Sequence, residues 1–129
     1  MDAEIDELED GPTRVIDRGP KGSWRLALDT GETLPLDDLT SVILGRAPGR
    51  SLGGIRGLAV PDKTKTLSKV HARLDRDGDT WTVTDLGSTN GVLLGEAGAE
   101  RPLGENETAP LLGRFVLGEL GLRVERAAG

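Results

Sequence analysis

The chain has 129 residues, with no cysteine and a single histidine. This length suits one domain with one hydrophobic core. The lack of cysteine excludes a disulfide framework and cysteine-ligated zinc, and one histidine argues against a multi-histidine metal site. Only 2% of the residues are aromatic, so the core must be built mainly from aliphatic side chains.

The net charge of −6 is unevenly distributed along the chain. Six acids and no base lie in residues 1–10, so residues 11–129 hold 16 acids against 16 bases. Within that neutral body, residues 45–74 carry seven basic residues and one acid, Asp62. A local basic patch favours an anionic ligand, and a solvated loop is the alternative. Duplex DNA would require a broader basic face, so we expect no nucleic-acid partner.

The sequence predicts neither a signal peptide nor a membrane span. The first residues, Met1-Asp2-Ala3-Glu4, are acidic and lack the apolar segment of a signal peptide. No apolar stretch approaches the length of a membrane span. We therefore expect a cytoplasmic monomer without direct membrane contact. Residues 1–22 are predicted to be an acidic, disordered tail, residues 23–126 the domain and residues 127–129 a C-terminal tail.

From Ser23 onward the sequence is typical of short strands separated by turns. Apolar and polar residues alternate with a period of two, Asp77-Gly78 is a hairpin signal, and no segment keeps a helical period. The predicted strands are 24–28, 33–36, 41–44, 58–60, 70–75, 81–85, 91–94, 114–117 and 120–124. Many short strands at close spacing predict an all-β sandwich.

Small polar residues are concentrated in the run Asp85-Leu86-Gly87-Ser88-Thr89-Asn90-Gly91, where a strand should turn. Glycines permit positive φ, and serine, threonine and asparagine commonly form turns, so a plain tight turn explains this run by itself. Read together with Arg46 and Ser68, the run predicts a shallow pocket of donors around a positive charge. Such a pocket suits a phosphate group on a peptide.

Four short segments, in this order, resemble a forkhead-associated domain. They are Gly45-Arg46, Ser68-x-x-His71, the 85–91 run and Gly113-Arg114-Phe115-Val116-Leu117-Gly118. The resemblance covers roughly residues 23–126. It implies an eleven-stranded β-sandwich of the SMAD/FHA-like type, which binds phosphothreonine peptides through loops at one end.

The resemblance also implies a role for each matched residue. Arg46 and Ser68 would hold the phosphate, and Lys69 would assist them. Thr89 would add a hydroxyl and a backbone donor, and Asn90 would hold the ligand backbone beside the phosphothreonine. The residues that would brace the loops are Gly45, His71, Gly87, Ser88 and Gly91. No catalytic residue, cofactor or metal ion is implied.

Two features depart from the family pattern. Residues 47–67, between Arg46 and Ser68, form a longer segment than usual, and their glycine and arginine content predicts a mobile insert near the binding end. Arg114 stands where the family often has an acid, a change that we expect to affect only a surface turn.

The favoured interpretation is a non-catalytic phosphothreonine-binding module, which recruits partners phosphorylated by a Ser/Thr kinase. One alternative is a structural or oligomerising sandwich with a degenerate phosphate pocket. Another is a hydrolase that uses Ser68, His71 and Asp85, although the sequence has no nucleophile elbow of the form G-x-S-x-G.

A threonine in the N-terminal tail is a candidate phosphosite. Thr13 follows six acids and precedes Arg14-Val15-Ile16. Some members of the resembled family dock a phosphorylated threonine of such a tail into their own pocket. A merely solubilising tail is the alternative.

Overall fold

The computed structural model describes residues 23–126. The tails predicted at residues 1–22 and 127–129, together with Thr13, lie outside the described residues. Twelve strands lie within the described range, eleven of them three residues or longer. They are β1 (Trp24–Leu28), β2 (Thr33–Asp37), β3 (Ser41–Gly45), β4 (Ser51–Leu52), β5 (Ile55–Ala59), β6 (Ala72–Asp77), β7 (Thr80–Asp85), β8 (Val92–Leu94), β9 (Arg101–Leu103), β10 (Thr108–Pro110), β11 (Phe115–Leu117) and β12 (Leu120–Arg126).

The strands form two six-stranded sheets. The first has the order β9-β8-β11-β12-β1-β2, and the second has the order β10-β7-β6-β3-β5-β4. Paired strands are antiparallel except β3 and β5, which run parallel. The predicted all-β sandwich is therefore confirmed. Between residues 23 and 126, the chain contains no helix with the length and apolar character needed to cross a membrane.

The core lies between the sheets because alternate residues of each strand point inward. In β1, for example, Trp24, Leu26 and Leu28 are buried, while Arg25 and Ala27 are partly exposed. Fully buried large side chains include Leu26, Leu44, Leu74, Val83, Val92, Phe115, Leu117 and Leu122. The few aromatic residues thus add to a core that is mainly aliphatic, as the composition predicts.

One end of the sandwich, which we call the tip, gathers four chain segments. These are the end of β3, the segment that leads into β6, the β7–β8 loop and the β11–β12 hairpin. Backbone hydrogen bonds join them: the N–H of His71 donates to the Leu44 carbonyl at 2.8 Å, and that of Gly118 donates to the Gly91 carbonyl at 3.0 Å. Segments far apart in sequence are therefore fixed next to one another.

Part of the segment 47–67, which was predicted to be a mobile insert, belongs to the second sheet. It contains β4 and β5, and β5 pairs with β3 from Val42↔Arg56 to Gly45↔Ala59. A Cβ on Gly57 would lie 2.3 Å from the Gly49 carbonyl oxygen, so this glycine allows two backbone segments to approach closely. The glycines of this segment thus permit close contact between backbone segments as well as tight turns.

The sequence pattern missed three short strands. One is β4, and the others, β9 and β10, lie at the outer edge of each sheet and contain Pro102 and Pro110. Proline cannot donate a ladder hydrogen bond, so within sheets it occurs mainly in edge strands. For the same reason, a proline in a short segment weakens the prediction of a strand from the sequence.

Candidate functional site

An open pocket at the tip, which we call the tip pocket, is formed by three separate chain segments. Its lining residues are Arg46, Asp62, Lys65, Thr66, Leu67, Ser68, Lys69, Thr89 and Asn90. All five residues that the family resemblance assigns to phosphothreonine are in this set. Four lining residues in the segment 62–67 were not among the site residues predicted from the sequence.

Arg46 follows directly after β3 and stands beside the segment that carries Ser68. Its backbone N–H donates to the Ser68 carbonyl at 2.9 Å, and the N–H of Ala47 donates to the Lys69 carbonyl at 3.2 Å. A Cβ on Gly45 would lie 2.0 Å from that Lys69 oxygen, so only glycine permits this approach. The guanidinium of Arg46 is exposed and has no ion pair with any residue of 23–126.

His71 is completely buried and joins two of the loops. Its Nδ1 accepts the backbone N–H of Ser68 at 3.0 Å, and its Nε2 lies 2.8 Å from the Gly91 carbonyl oxygen. Because Nδ1 is an acceptor, we assign the ring proton to Nε2, which then donates to Gly91. The imidazole thus forms one hydrogen bond with the backbone of each of the two loops.

The Ser68 hydroxyl connects the same segment to the β7–β8 loop. Its Oγ accepts the backbone N–H of Thr89 at 3.0 Å, which leaves the hydroxyl proton available for donation. The backbone donor of Thr89, which the resemblance directs to a phosphate, is therefore engaged with Ser68. Thr89 is exposed and lines the pocket.

Side chains within the β7–β8 loop satisfy its own backbone. The carboxylate of Asp85 accepts the N–H of Ser88 at 2.9 Å, and Ser88 Oγ accepts the N–H of Gly91 at 3.0 Å. Gly87 and Gly91 have φ values of 80° and 82°, a region that glycine adopts without strain. These contacts hold the part of the loop that carries Thr89 in one shape.

Asn90 faces the segment that precedes Ser68. Its Nδ2 donates to the Thr66 carbonyl at 2.8 Å, and the Thr66 hydroxyl oxygen accepts the N–H of Glu119 at 2.9 Å. Thr66 thus ties the β7–β8 loop to the β11–β12 hairpin. The amide oxygen of Asn90 has no protein partner among residues 23–126, so it can accept from a ligand backbone.

Asp62 organises the unexpected part of the pocket. Its carboxylate accepts the backbone N–H groups of Thr64, Thr66 and Leu67 at 2.9, 2.8 and 2.9 Å, and also the Thr64 hydroxyl. Partial burial by itself raises the pKa of Asp62, but these hydrogen bonds outweigh it and hold the pKa below its ordinary value of 3.8. The spacing Asp62-x-Thr64, which is typical of a side-chain-capped turn, is the sequence signal that could have revealed this turn.

The three residues of the hydrolase alternative are not connected as a catalytic triad. Ser68 Oγ is bonded to Thr89, and both ring nitrogens of His71 are bonded to backbone groups. The Asp85 carboxylate holds Ser88 instead of the imidazole. A triad requires a base within reach of the nucleophile and a carboxylate that orients that base, and this geometry provides neither.

Arg114 does more than occupy a surface turn, as had been expected. Its side chain is only 13% exposed, and its guanidinium contacts Asp29 at 2.9 Å and Glu100 at 3.1 Å. The two carboxylates raise the pKa of Arg114, mainly through the hydrogen bond with Asp29. The expectation is therefore wrong: Arg114 connects the β1–β2 turn to the start of β9.

Comparison with known proteins defines the family. The family model described as the FHA domain matches residues 42–111, more than half of the chain. The chain therefore belongs to the forkhead-associated domain family. A search of curated proteins found no significant match.

Solved structures of FHA domains share this fold. The FHA domain of a hypothetical protein from Arabidopsis thaliana has a TM-score of 0.63 and 24% identity, over 92% of this chain and 97% of that one. The FHA domain of human APLF, in complex with an XRCC1 bisphospho peptide, has a TM-score of 0.56 and 23% identity, over 80% and 97%. A structure reported for phosphothreonine-dependent FHA domain interactions has a TM-score of 0.51 and 25% identity, over 83% and 99%.

Proposed function

We propose that this chain is a non-catalytic module that binds phosphothreonine-containing proteins or peptides in the tip pocket. Its partners would be proteins phosphorylated by a Ser/Thr kinase in the cytoplasm. The proposal rests on one observation. The same open pocket is lined by Arg46, Ser68, Lys69, Thr89 and Asn90.

The chemistry of the pocket suits a phosphate ester. Phosphothreonine carries about −1.5 to −2 charge and three strong acceptor oxygens at neutral pH. The planar guanidinium of Arg46 can donate to two of these oxygens, and the ammonium of Lys69 adds a point charge. The proton of the Ser68 hydroxyl and the hydroxyl of Thr89 complete the set of donors.

The expected affinity is moderate. Each charge-assisted hydrogen bond contributes about 1.5–3 kcal/mol net, and the ordering of the peptide opposes binding. Two or three such bonds are consistent with micromolar binding, since 1 μM corresponds to about 8 kcal/mol. Binding in this range suits reversible signalling.

The structural relatives support this proposal. Human APLF provides an FHA domain in complex with a bisphospho peptide, and another FHA domain is described as interacting in a phosphothreonine-dependent way. Membership of the same family makes phosphopeptide recognition the function that these tip residues support best.

Replacement of Arg46 by alanine tests the proposal. A phosphothreonine peptide library is screened against the wild-type chain, and the best peptide is titrated by calorimetry. We expect Arg46→Ala to abolish measurable binding while the thermal midpoint stays unchanged, since Arg46 is exposed and its backbone contacts remain. Arg50→Ala removes a charge from the same basic segment outside the pocket and should bind normally.

The same experiment addresses the structural alternative. If no phosphothreonine peptide binds the wild-type chain, or if Arg46→Ala binds as tightly as wild type, the tip pocket is not a phosphate site. Sedimentation of the wild-type chain would then show whether the chain forms a stable oligomer, as a structural sandwich requires.

We also propose Thr13, after phosphorylation, as an internal ligand of this pocket. The ten residue steps from Thr13 to Ser23 span at most about 35 Å, and β12 alone is about 20 Å long. The reach of this connection exceeds the length of β12, so one copy can bind its own Thr13, and binding between two copies is also possible. Compaction at low concentration supports binding within one copy, and concentration-dependent association supports binding between copies. If the phosphorylated chain neither compacts nor associates, and binds external peptide as before, this part of the proposal is wrong.

A further inference from the structure

The rim of the tip pocket contains a backbone conformation that is unfavourable for its residue. Lys65 has a φ of +60°, in the left-handed region where glycine is comfortable and residues with a Cβ are strained. The Asp62 carboxylate imposes this shape, because it binds the backbone N–H groups of Thr64, Thr66 and Leu67 on both sides of Lys65.

The side chain of Lys65 has no structural role within residues 23–126. Lys65 is exposed and lines the tip pocket, and its ammonium makes no ion pair or hydrogen bond with any residue in that range. A glycine would fit the same turn with less strain. A strained residue at a ligand site, with a free charge, is the kind of outlier that indicates a functional side chain.

The position of Lys65 identifies the part of a ligand that it would meet. The next residue, Thr66, accepts the Asn90 side chain through its carbonyl at 2.8 Å. Asn90 is the residue expected to hold the ligand backbone beside the phosphothreonine. Lys65 therefore lies on the side of the tip pocket where the residues next to the phosphothreonine would bind.

We propose that Lys65 is a specificity-determining residue that selects ligands with a second anionic side chain close to the phosphothreonine. This inference rests on the proposed function of the tip pocket. The ammonium is a compact charge on a flexible stem, so it can reach a carboxylate or a second phosphate without a fixed geometry. Because the contact is exposed, it should raise affinity about two- to fivefold and weaken with added salt.

The test compares peptides that differ in one flanking charge. A phosphothreonine peptide with neutral flanks is the reference, and a single glutamate is moved through the three positions before and the four positions after the phosphothreonine. Phosphoserine then replaces glutamate at the best position, which separates a phosphate preference from a carboxylate preference. The acidic peptide with unmodified threonine controls for binding by charge alone.

Three variants complete the design. Lys65→Gly should lose the affinity ratio between the acidic peptide and the neutral reference, and it should keep or raise its thermal midpoint. Lys65→Glu should bind the acidic peptide less well than the neutral one. Lys63→Ala removes an exposed charge from the same segment outside the pocket lining and should retain the preference of the wild type.

Failure of this inference is separate from failure of the proposed function. If phosphothreonine peptides bind but no flanking glutamate or phosphoserine improves binding, or if the improvement persists in Lys65→Gly, Lys65 does not select the ligand. A clear fall in the thermal midpoint of Lys65→Gly would also overturn the inference, since Lys65 would then be structural. If no phosphothreonine peptide binds the wild type at all, the proposed function itself is wrong.

Discussion

Ser68 and Thr89, which are 21 residues apart in sequence, are joined by a hydrogen bond of 3.0 Å from the Thr89 backbone N–H to the Ser68 hydroxyl oxygen. The bond fixes the direction of the serine side chain and links two segments of the tip. It also leaves the serine proton as a donor for an anion. One hydroxyl thus shapes the pocket and contributes to its chemistry.

Replacement of Ser68 by alanine should weaken phosphothreonine binding by about ten- to a hundredfold. The variant loses one charge-assisted hydrogen bond of about 1.5–3 kcal/mol, and 1.4 kcal/mol is a factor of ten in affinity. The fold should change little, because Thr89 is exposed and water can accept its N–H. Calorimetric titration measures the effect, and Ser51→Ala, an exposed serine outside the pocket, is the control. Equal affinity for Ser68→Ala and wild type would remove Ser68 from the site.

Replacement of the buried His71 by leucine should lower the free energy of unfolding by about 2–4 kcal/mol. The partly buried backbone N–H of Ser68 and carbonyl of Gly91 would lose their partner, and each such loss costs about 1–3 kcal/mol. Urea denaturation measures the change. His71→Gln can keep one of the two hydrogen bonds and should lose less. If the leucine variant is as stable as wild type, the imidazole does not brace these loops.

Gly45→Ala should destabilise the tip, because the new Cβ would lie 2.0 Å from the Lys69 carbonyl oxygen. The clash separates β3 from the Ser68–Lys69 segment, and overpacking of this kind costs about 1–3 kcal/mol. Urea denaturation should show that loss, and phosphopeptide affinity should fall with it. Gly113→Ala is the control, since its Cβ would come no closer than 3.2 Å, to a flexible Glu96 carboxylate. Similar effects of the two substitutions would contradict this explanation.

Asp62 should make the stability of the tip depend on pH below its ordinary pKa of 3.8. Its pKa is lowered in the folded chain, so the unfolded chain binds the proton more readily. Its contribution is therefore complete above about pH 3.8 and is lost as the pH falls through the lower folded-state pKa. Unfolding of wild type and Asp62→Asn, followed from about pH 6 to pH 2.5, should show a stability difference that shrinks only at the acidic end. A difference that is constant over the whole range would exclude an ionised Asp62 as the centre of this turn.

The sequence was sufficient for the parts of the fold that have a strong local pattern. The alternation around Trp24, Leu26 and Leu28 predicts β1, and Asp77-Gly78 predicts the β6–β7 hairpin, because period-two burial and turn chemistry are local properties. Three of the four family segments contain the five residues that were predicted to bind the ligand, and the structure brings these five together on one surface. Their proposed roles remain predictions until binding is measured.

The parts of the fold and of the site that the sequence did not predict depend on contacts between residues far apart in the chain, which no local pattern encodes. β5 takes its place through parallel pairing with β3, and β10 through pairing with β7, so neither needs a strong alternation of its own. Arg114 has a structural role because Asp29, 85 residues away, reaches it. Lys65 could not be distinguished from other lysines because its unusual backbone conformation follows from hydrogen bonds to Asp62.

The register of the first sheet places Trp24 directly opposite Arg126, and the guanidinium of Arg126 lies 4.6 Å from the centre of a Trp24 ring. β12 leaves the tip after Gly118 and reaches this pair eight residues later, so the chain enters and leaves the domain side by side at its base. A fusion partner joined directly to Trp24 or Arg126 would therefore begin at the end of the sandwich opposite the ligand loops. Joined at either of these two residues, the domain keeps its recognition surface at the end far from the linkage.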